Sequence, residues 1–413
     1  MNFSIEARLY DELVSVEGLR QEEPLGVVVA DDDALQRAYT SAVLRKLGYT
    51  PIDAANGTEA LELIRGGAAQ ILVCDLDMPG IDGHELAREV RRDSGDNYIH
   101  ILMLTAQNQG HERELALEAG VDDFMAKPLD TASLTARMRS AGRLLQRERQ
   151  LATRNRILAE AKEQIEADLR AAADAQRRLL PAAHSRVGGC AFHSAFMPSH
   201  ILSGDMFGYF PLGDGLTGFY AVDVAGHGVH ASLMSVALGH LLTADYFRAH
   251  VFDAVGNPDP AELVRALNAR FYTDDGTEYF TMFAGILDET SDTLHFCQAG
   301  YPSPCIMTPA GASRRVGDGG FPVALLSSAT FESGEISLSE GEFLALYSDG
   351  ATEAEDPAGR AFGDEGLAQV LNASTTDPAA IPGKLVDALN CWRETRPLDD
   401  DLTVLVCERI AAP

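Results

Sequence analysis

The chain of 413 residues contains one tryptophan and six cysteines. The cysteines are scattered without any Cys-x-x-Cys pair. Cys74, for example, ends the apolar run ILVC, which is a context typical of a core residue. Disulfide frameworks and structural zinc sites both need grouped cysteines. We therefore expect reduced cysteines in the core, with neither disulfides nor zinc.

Basic residues are also scarce, since 33 lysines and arginines face 62 aspartates and glutamates and leave a net charge of −29. Nucleic acids and anionic membranes bind proteins through lysine and arginine, so this balance disfavours a DNA-binding transcription factor. No apolar run approaches 18 residues, and residues 1–23 are acidic without an apolar segment. We expect a cytoplasmic protein with neither a signal peptide nor a membrane span.

The length predicts two or three domains. Between residues 25 and 130, short apolar strands alternate with amphipathic helices, which is typical of a doubly wound, flavodoxin-like α/β domain. We predict strands at 25–30, 50–54, 70–74, 100–104 and 122–126, and helices near 34–47, 57–66, 83–93 and 110–119.

The following segment, to residue 180, has the pattern of one long helix. Apolar residues recur every seven positions at Leu144, Leu151, Leu158, Ile165, Ala172 and Leu179. This spacing predicts a parallel coiled coil and hence a homodimer, with Asn155 able to set the register. The alternative is a single long helix that packs on its own domain.

From residue 182 the pattern changes to strands separated by glycines. We predict strands near 191–197, 216–224, 280–287, 293–299, 342–347 and 401–408, and helices near 227–247, 261–272 and 378–391. Strands in sequence with inserted helices favour an α+β sandwich. The predicted division is an N-terminal extension (1–24), an α/β domain (25–131), a helical linker (132–180) and a sandwich domain (181–413).

Four predicted strand ends in the first domain carry polar residues: Asp31 with Asp32, Asp75, Thr105 and Lys127. The carboxyl ends of parallel strands meet at one edge of the sheet, so these groups should converge. Clustered carboxylates repel one another unless a cation neutralises them, and hard oxygen ligands suit Mg²⁺. A phosphoryl group on Asp75 would then contact the ion, Thr105 and Lys127.

These residues resemble the receiver domains of two-component response regulators. The matching runs are VVADDD at 28–33, CDLDMPG at 74–80, LTA at 104–106 and KP at 127–128. The resemblance implies that Asp75 accepts the phosphoryl group, that Asp31 and Asp32 hold Mg²⁺, and that Asp77 adds a backbone carbonyl. It also implies a switch role for Phe124 and a cis peptide bond at Lys127-Pro128.

Four dispersed aspartates in the C-terminal half, Asp205, Asp223, Asp349 and Asp400, also lie where strands meet turns, with glycine nearby. Any one Asp-Gly pair is explained as a turn. Together, without matching lysines, they indicate Mg²⁺ or Mn²⁺. Two such ions could hold a bridging hydroxide for attack on a phosphoester.

This set resembles the protein phosphatase 2C (PPM) superfamily, in its bacterial SpoIIE-like branch. Further matches are QRRLLP at 176–181, QAGYPSP at 298–304, GFPVAL at 320–325 and YSDGATEA at 347–354. The resemblance implies that Asp223 bridges two ions, that the Val224 carbonyl binds one, and that Asp349 and Asp400 hold the second. Asp205 completes the cluster, Asp401 is an alternative to Asp400, and His227 is either a proton donor or a loop-capping residue.

One motif departs from the family, because Ser203 and Gly208 replace its first glycine and its last acid. We expect the loss of the acid at 208 to weaken a metal site or to lower turnover.

The two resemblances imply a serine/threonine protein phosphatase controlled by receiver phosphorylation. Its partners would be a sensor histidine kinase and, as substrate, an anti-sigma-factor antagonist. The alternative is a phosphorylation-gated adaptor with a vestigial phosphatase fold, which would have no need to retain the acids.

Overall fold

The computed structural model describes residues 25–93, 98–106, 110–226, 228–274 and 278–411. The chain divides into two compact units, Met1–Ala161 and Lys162–Pro413. Within the described ranges, no helix is both long and apolar enough to cross a membrane. The predicted N-terminal extension and His227 lie outside the described residues.

The first unit contains the predicted doubly wound domain. Its parallel sheet has the order β2-β1-β3-β4-β5, formed by β1 (Gly26–Ala30), β2 (Thr50–Ala54), β3 (Ile71–Asp75), β4 (His100–Thr105) and β5 (Asp123–Ala126). The connecting helices are α1 (Ala34–Lys46), α2 (Gly57–Arg65), α3 (Gly83–Asp93) and α4 (Gly110–Glu118). The α/β prediction is confirmed.

Apolar side chains on both faces of β1 and β3 explain why this sheet lies between helix layers. Val28 and Leu72 belong to the core on one face, and Val27 and Ile71 to the core on the other. The Asp33 side chain accepts hydrogen bonds from the backbone N–H groups of Leu35 and Gln36, which begins α1 directly after the acidic run.

One continuous helix, α5 (Thr131–Arg177), follows β5. Its first turns do not belong to a free linker, because Leu134, Met138, Ala141 and Leu145 are buried in the core of the first unit. The domain boundary predicted at 131/132 therefore falls before the last residues that pack on this sheet. The middle of the helix differs, since Leu151, Leu158 and Ile165 are 53%, 67% and 60% exposed.

The predicted heptad seam is wrong at its last position. The helix ends at Arg177, and Leu179 follows it in a turn, where it packs on the core of the second unit. Its seven-residue spacing from Ala172 reflects tertiary packing and not the continued helix.

The second unit is the predicted α+β sandwich of two antiparallel sheets. One sheet has the order β14-β11-β10-β9-β8 and the other β13-β12-β15-β16-β7-β6. The strands are β6 (His184–Val187), β7 (Cys190–Met197), β8 (Met206–Gly213), β9 (Leu216–Val224), β10 (Phe280–Asp288), β11 (Thr293–Ala299), β12 (Cys305–Met307), β13 (Ser313–Arg315), β14 (Gly334–Ser337), β15 (Phe343–Tyr347) and β16 (Leu402–Arg409).

Helices cover both outer faces of the sandwich. They are α6 (Val229–Leu241), α7 (Ala244–His250), α8 (Pro260–Phe271), α9 (Gly350–Glu353), α10 (Gly363–Asn372) and α11 (Ile381–Arg393), with a 3₁₀ turn at Pro378–Ala380. The predicted helix at 227–247 is in fact two helices. Thr243 caps α7 by accepting from the N–H of Tyr246, which breaks the run after Leu242.

The core between the two sheets is rich in aromatic rings. Phe192 stacks on Tyr209 with ring centroids 4.1 Å apart, and Phe219 and Phe283 continue the layer. The strands β8, β9, β15 and β16 contribute side chains to this inter-sheet core, and the four candidate aspartates lie at or near the ends of these strands.

Candidate functional site

The three carboxylates predicted in the first unit come together. Asp31 follows β1, Asp75 ends β3, and with Asp32 they place one ligand oxygen each within 4.8 Å of the others. Among the residues that the structure describes, this is the one group of three metal-ligating side chains this close. Hard carboxylate oxygens at this spacing fit a divalent cation such as Mg²⁺.

Lys127 lies between two of these acids. Its Nζ atom is 3.1 Å from Oδ2 of Asp31 and 2.8 Å from Oδ2 of Asp75. Burial raises the pKa of the Asp75 carboxyl, and Lys127 opposes that rise. The ammonium group therefore neutralises part of the acidic charge within the protein itself.

The remaining predicted residues of this site lie around Asp75. Thr105 ends β4 and is buried, and its carbonyl accepts from the N–H of Lys127 at 2.7 Å. The Lys127-Pro128 bond is cis, as the resemblance implied. Phe124 is half-buried against the core, and Asp77 is exposed two residues beyond Asp75.

The acids of the second unit come from both sheets of the sandwich. Asp205 directly precedes β8 and Asp223 lies near the end of β9, and these strands pair with Met206 opposite Val222. Asp349 follows β15 and Asp401 precedes β16, and these strands pair with Tyr347 opposite Val404. A Cβ atom at Gly350 would lie 2.2 Å from the Asp401 carbonyl oxygen, so the turn after Asp349 requires glycine.

These acids influence one another although up to about 200 residues separate them in the chain. Burial raises the pKa of Asp223 to about 7, and the charges of Asp349, Asp400 and Asp401 add to the effect. Burial and then Asp400 raise the pKa of Asp349 to about 6. Burial and then Asp223 raise the pKa of Asp205 well above its ordinary value. These mutual effects indicate that the four predicted aspartates lie in one poorly solvated, acidic region. No three of these four described residues bring ligand oxygens within 4.8 Å of one another, so their spacing is wider than that of the acids in the first unit.

Buried carboxylate oxygens in this site lack hydrogen-bond partners. Asp205 is 1% exposed, and within the described ranges neither of its oxygens, nor Oδ1 of Asp349, accepts a hydrogen bond of ordinary geometry. The hydroxyl groups of Thr403 and Ser348 lie near enough to lower the pKa of Asp205, but they do not offset the effect of burial. A buried charge is costly unless it is paired or coordinates a metal. An all-oxygen acidic site with unpartnered oxygens fits Mg²⁺ or Mn²⁺.

The structure distinguishes the two candidate acids before β16. Both oxygens of Asp401 hold the preceding loop: Oδ1 accepts from the N–H of Ser199 at 2.7 Å, and Oδ2 accepts from the N–H of Gly204 at 2.7 Å. Asp400 is less buried and accepts from the N–H of Asp401 at 2.7 Å. Asp401 therefore orients the loop that carries Asp205.

The expected effect of Gly208 on the metal site finds no support in the geometry. Successive strand residues point to opposite faces, so position 208 lies on the face of Met206, toward the helices, and not on the face of Asp205. A Cβ atom at 208 would lie 2.6 Å from the Tyr220 ring. An acid at this position would point away from Asp205.

One residue beside this site was not predicted from the sequence, although it begins the QRRLLP motif at 176–181. Gln176, in the last turn of α5, is 2% exposed, and its Nε2 atom donates to the Ser203 carbonyl at 2.6 Å and to Oγ of Ser235 at 2.7 Å. Its Oε1 atom accepts from the N–H of Ser203 at 3.3 Å, and Oγ of Ser203 accepts from the N–H of Asp205 at 3.0 Å. The end of α5 is thereby joined to the loop that carries Asp205.

Comparisons with known proteins agree with this division into two sites. Residues 27–139 match the response regulator receiver domain family, and residues 213–410 match the Stage II sporulation protein E (SpoIIE) family. The chain is 35% identical over 125 residues to the transcriptional regulatory protein AfsQ1 of Streptomyces coelicolor, covering 30% of this chain and 54% of that protein. It is 39% identical over 117 residues to the response regulator MprA of Mycobacterium sp. (strain KMS), covering 28% of this chain and 50% of that protein.

The chain thus spans about half the length of these curated relatives. Among solved structures, the SiaA-PP2C domain of Pseudomonas aeruginosa superposes with a TM-score of 0.52 at 21% identity, covering 61% of this chain and 100% of that domain. This likeness shows the fold of the second unit. The first unit thus contains a receiver domain, and the second unit has a PP2C-like fold and matches the SpoIIE family.

Proposed function

We propose that this protein is a metal-dependent phosphoserine and phosphothreonine protein phosphatase whose activity is controlled by phosphorylation of Asp75. The observation that carries the proposal is the acidic site of the second unit. There, buried Asp205 has no hydrogen-bond partner among the described residues and shares its surroundings with Asp223 and Asp349. An adaptor would gain nothing from keeping these costly buried acids.

In this proposal Asp205, Asp223, Asp349, Asp400 and the Val224 carbonyl would hold two Mn²⁺ or Mg²⁺ ions, with Asp223 as the ligand expected to serve both. Bound divalent ions would lower the pKa of water and stabilise charge on the phosphoryl oxygens. The protein fixes the geometry from both sheets. Asp401 and Ser203 hold the Asp205 loop, and glycine at 350 lets Asp349 approach β16.

In the receiver domain, Asp75 would accept a phosphoryl group with Mg²⁺ held by Asp31, Asp32 and the Asp77 carbonyl. Lys127 already reaches Asp75, so it would follow the negative charge when a phosphoryl group is added. Thr105 and Phe124 would transmit the change. The phosphoryl donor would be a sensor histidine kinase.

The protein substrate would be an anti-sigma-factor antagonist, as in the branch that the sequence resembles. We also propose a homodimer that pairs through the middle of α5. Leu151, Leu158 and Ile165 recur every seven residues there and are more than half exposed, and a second copy of the helix would cover them.

The test is hydrolysis of p-nitrophenyl phosphate and of a phosphoserine peptide by the full-length protein with Mn²⁺. Asp223→Asn should reduce both rates to background, because Asp223 is the one acid proposed to serve both ions. Asp214→Asn is the matched control, since Asp214 is an exposed turn residue with φ of 51°, a conformation that asparagine tolerates. An inactive wild-type protein, or an active Asp223→Asn variant, would contradict the proposal.

A further inference from the structure

The QAGY segment at 298–301 places Tyr301 in the turn that follows β11. Tyr301 is 1% exposed, and its hydroxyl group has no hydrogen-bond partner among the described residues. An unpartnered buried hydroxyl loses its hydrogen bonds to water on folding without replacing them. Buried polar groups without a hydrogen-bond partner are uncommon in native proteins, so the Tyr301 hydroxyl is an exception.

The Tyr301 backbone is held firmly. Gly300 has φ of +74°, which favours glycine, and Nε2 of Gln298 donates to the Tyr301 carbonyl at 2.6 Å. Oε1 of the same glutamine accepts from the N–H of Gly319 at 2.8 Å. The Tyr301 ring lies in the inter-sheet core, so the direction of its hydroxyl is fixed by the fold.

Two other buried tyrosines show how the hydroxyl group of a core tyrosine can be satisfied. The Tyr209 hydroxyl donates to the Ala182 carbonyl at 2.7 Å, and the Tyr347 hydroxyl donates to the Ser303 carbonyl at 2.9 Å. Tyr301 differs from both, because it is more deeply buried and its hydroxyl finds no such carbonyl among the described residues. Simple core packing therefore accounts for its ring and leaves its hydroxyl unexplained.

Gly300 forms a β-bridge with Met282 of β10, and the neighbouring Thr281 pairs with Asp223 of β9, so the turn that holds Tyr301 lies next to the strand pair that carries Asp223. Burial and then the charges of Asp205, Asp223 and Asp349 raise the pKa of the Tyr301 phenol well above its ordinary value. A phenol hydroxyl without a partner is able to donate a hydrogen bond to a nearby acceptor. Such acceptors exist in the same region, since both oxygens of Asp205 also lack partners among the described residues.

We propose that Tyr301 is a positioning residue of the phosphatase metal centre, whose hydroxyl donates a hydrogen bond to the oxygen ligands around Asp205 when a divalent ion is bound. The inference rests on the proposed function for the identity of that centre. A donor behind a carboxylate ligand orients it for the ion, and losing such a partner typically weakens metal binding by about 10–100-fold.

The experiment compares full-length wild type with Tyr301→Phe, which removes one oxygen atom and keeps the ring. Mn²⁺ affinity is measured directly by isothermal titration calorimetry in an Asp75→Asn background, which disables phosphorylation. A second background, Asp31→Asn, removes a proposed metal ligand of the receiver and so identifies the heat that comes from the receiver site. We expect the phosphatase site to bind Mn²⁺ about 10–100-fold more weakly in Tyr301→Phe.

The unfolding temperature, measured with and without metal, is a second test. It distinguishes a role in metal binding from a purely structural role of Tyr301. Without metal, Tyr301→Phe should unfold at the same or a higher temperature than wild type, because an unpartnered hydroxyl has been removed. With saturating Mn²⁺ the order should reverse. Tyr209→Phe is the matched control, and it should lower the unfolding temperature equally with and without metal and leave Mn²⁺ affinity unchanged.

Wild-type Mn²⁺ affinity in Tyr301→Phe would overturn the inference, as would an equal fall in unfolding temperature with and without metal. Neither measurement needs a substrate. A protein that hydrolyses no phosphoester would contradict the proposed function, and yet the Mn²⁺ measurements would still decide the role of Tyr301.

Discussion

The receiver and the phosphatase sites both gather aspartates at strand ends, but they treat the resulting charge differently. In the receiver, Lys127 lies within 3.1 Å of Asp31 and Asp75 and offsets part of their charge. In the phosphatase domain, Asp205, Asp223 and Asp349 form no salt bridge within the described part of the chain. Fixed compensation suits a site that would persist with and without the proposed phosphoryl group, whereas uncompensated acids suit a site that the proposed metal ions would complete.

The largest expected effect separates the two sites. Asp75→Asn should abolish phosphoryl uptake from acetyl phosphate in Mg²⁺, because the carboxylate nucleophile is lost. The same variant should keep Mn²⁺-dependent hydrolysis, since Asp75 and Asp223 lie in different units. Intact-mass analysis measures the phosphoryl uptake, and a p-nitrophenyl phosphate assay measures the hydrolysis. Equal phosphorylation of the variant and the wild type would show that another residue accepts the phosphoryl group.

Removing one charge from each site should have opposite effects on metal-free stability. Lys127→Met leaves Asp31 and Asp75 facing each other and should destabilise the receiver by about 1–3 kcal/mol, less than for a fully buried pair because Lys127 keeps some solvent contact. Asp205→Asn removes a carboxyl group whose charged form is disfavoured by burial and by Asp223, and it should stabilise the metal-free phosphatase domain. Hydrogen exchange resolved by peptide reports each domain separately.

Added Mn²⁺ provides a control for the second of these variants. Added Mn²⁺ should reverse the sign for Asp205→Asn, because the carboxylate then has its partner. Should both variants destabilise their domains equally without metal, the contrast between compensated and uncompensated acids would be wrong.

A smaller effect is expected at Gln176. Gln176→Leu leaves the N–H group of Ser203 without its partner, removes one of two hydrogen bonds to the Ser203 carbonyl, and loosens the loop that carries Asp205. We expect kcat/KM to fall by about 10–100-fold, with a higher Mn²⁺ requirement, as for other residues that support metal ligands. Gln164→Leu is the matched control, since Gln164 is an exposed residue of the same helix. Equal activity of the two variants would leave Gln176 as a packing residue only.

These cases show what sequence reasoning could and could not reach. Buried strands such as β3 have an apolar run that ends in a polar residue, so both the strand and the position of Asp75 were predictable. The strand β8 was missed because it contains Gly208 and Pro211, and β12 to β14 are only three or four residues long. The bonds of Gln176 and the unpartnered hydroxyl of Tyr301 depend on residues distant in the chain, which no local pattern reveals.

The long helix α5 provides the last and smallest effect, on communication between the sites. Its two ends differ, because Leu134 and Leu145 pack on the receiver core, whereas Gln176 bonds to the Asp205 loop. Coupling of only about 1–3 kcal/mol would change activity by several-fold to about a hundredfold.

We predict that the phase of this helix matters more than its length. Seven residues inserted after Ala161 keep the spacing of the exposed seam and should preserve control by phosphorylated Asp75. Three or four inserted residues rotate the seam and Gln176 relative to the receiver end, as a stammer or stutter does, and should lock activity high or low. Phosphatase rates with and without acetyl phosphate distinguish these outcomes, and Asp75→Asn in each background removes any direct effect of the donor. If both insertions respond alike, helix phase does not carry the signal.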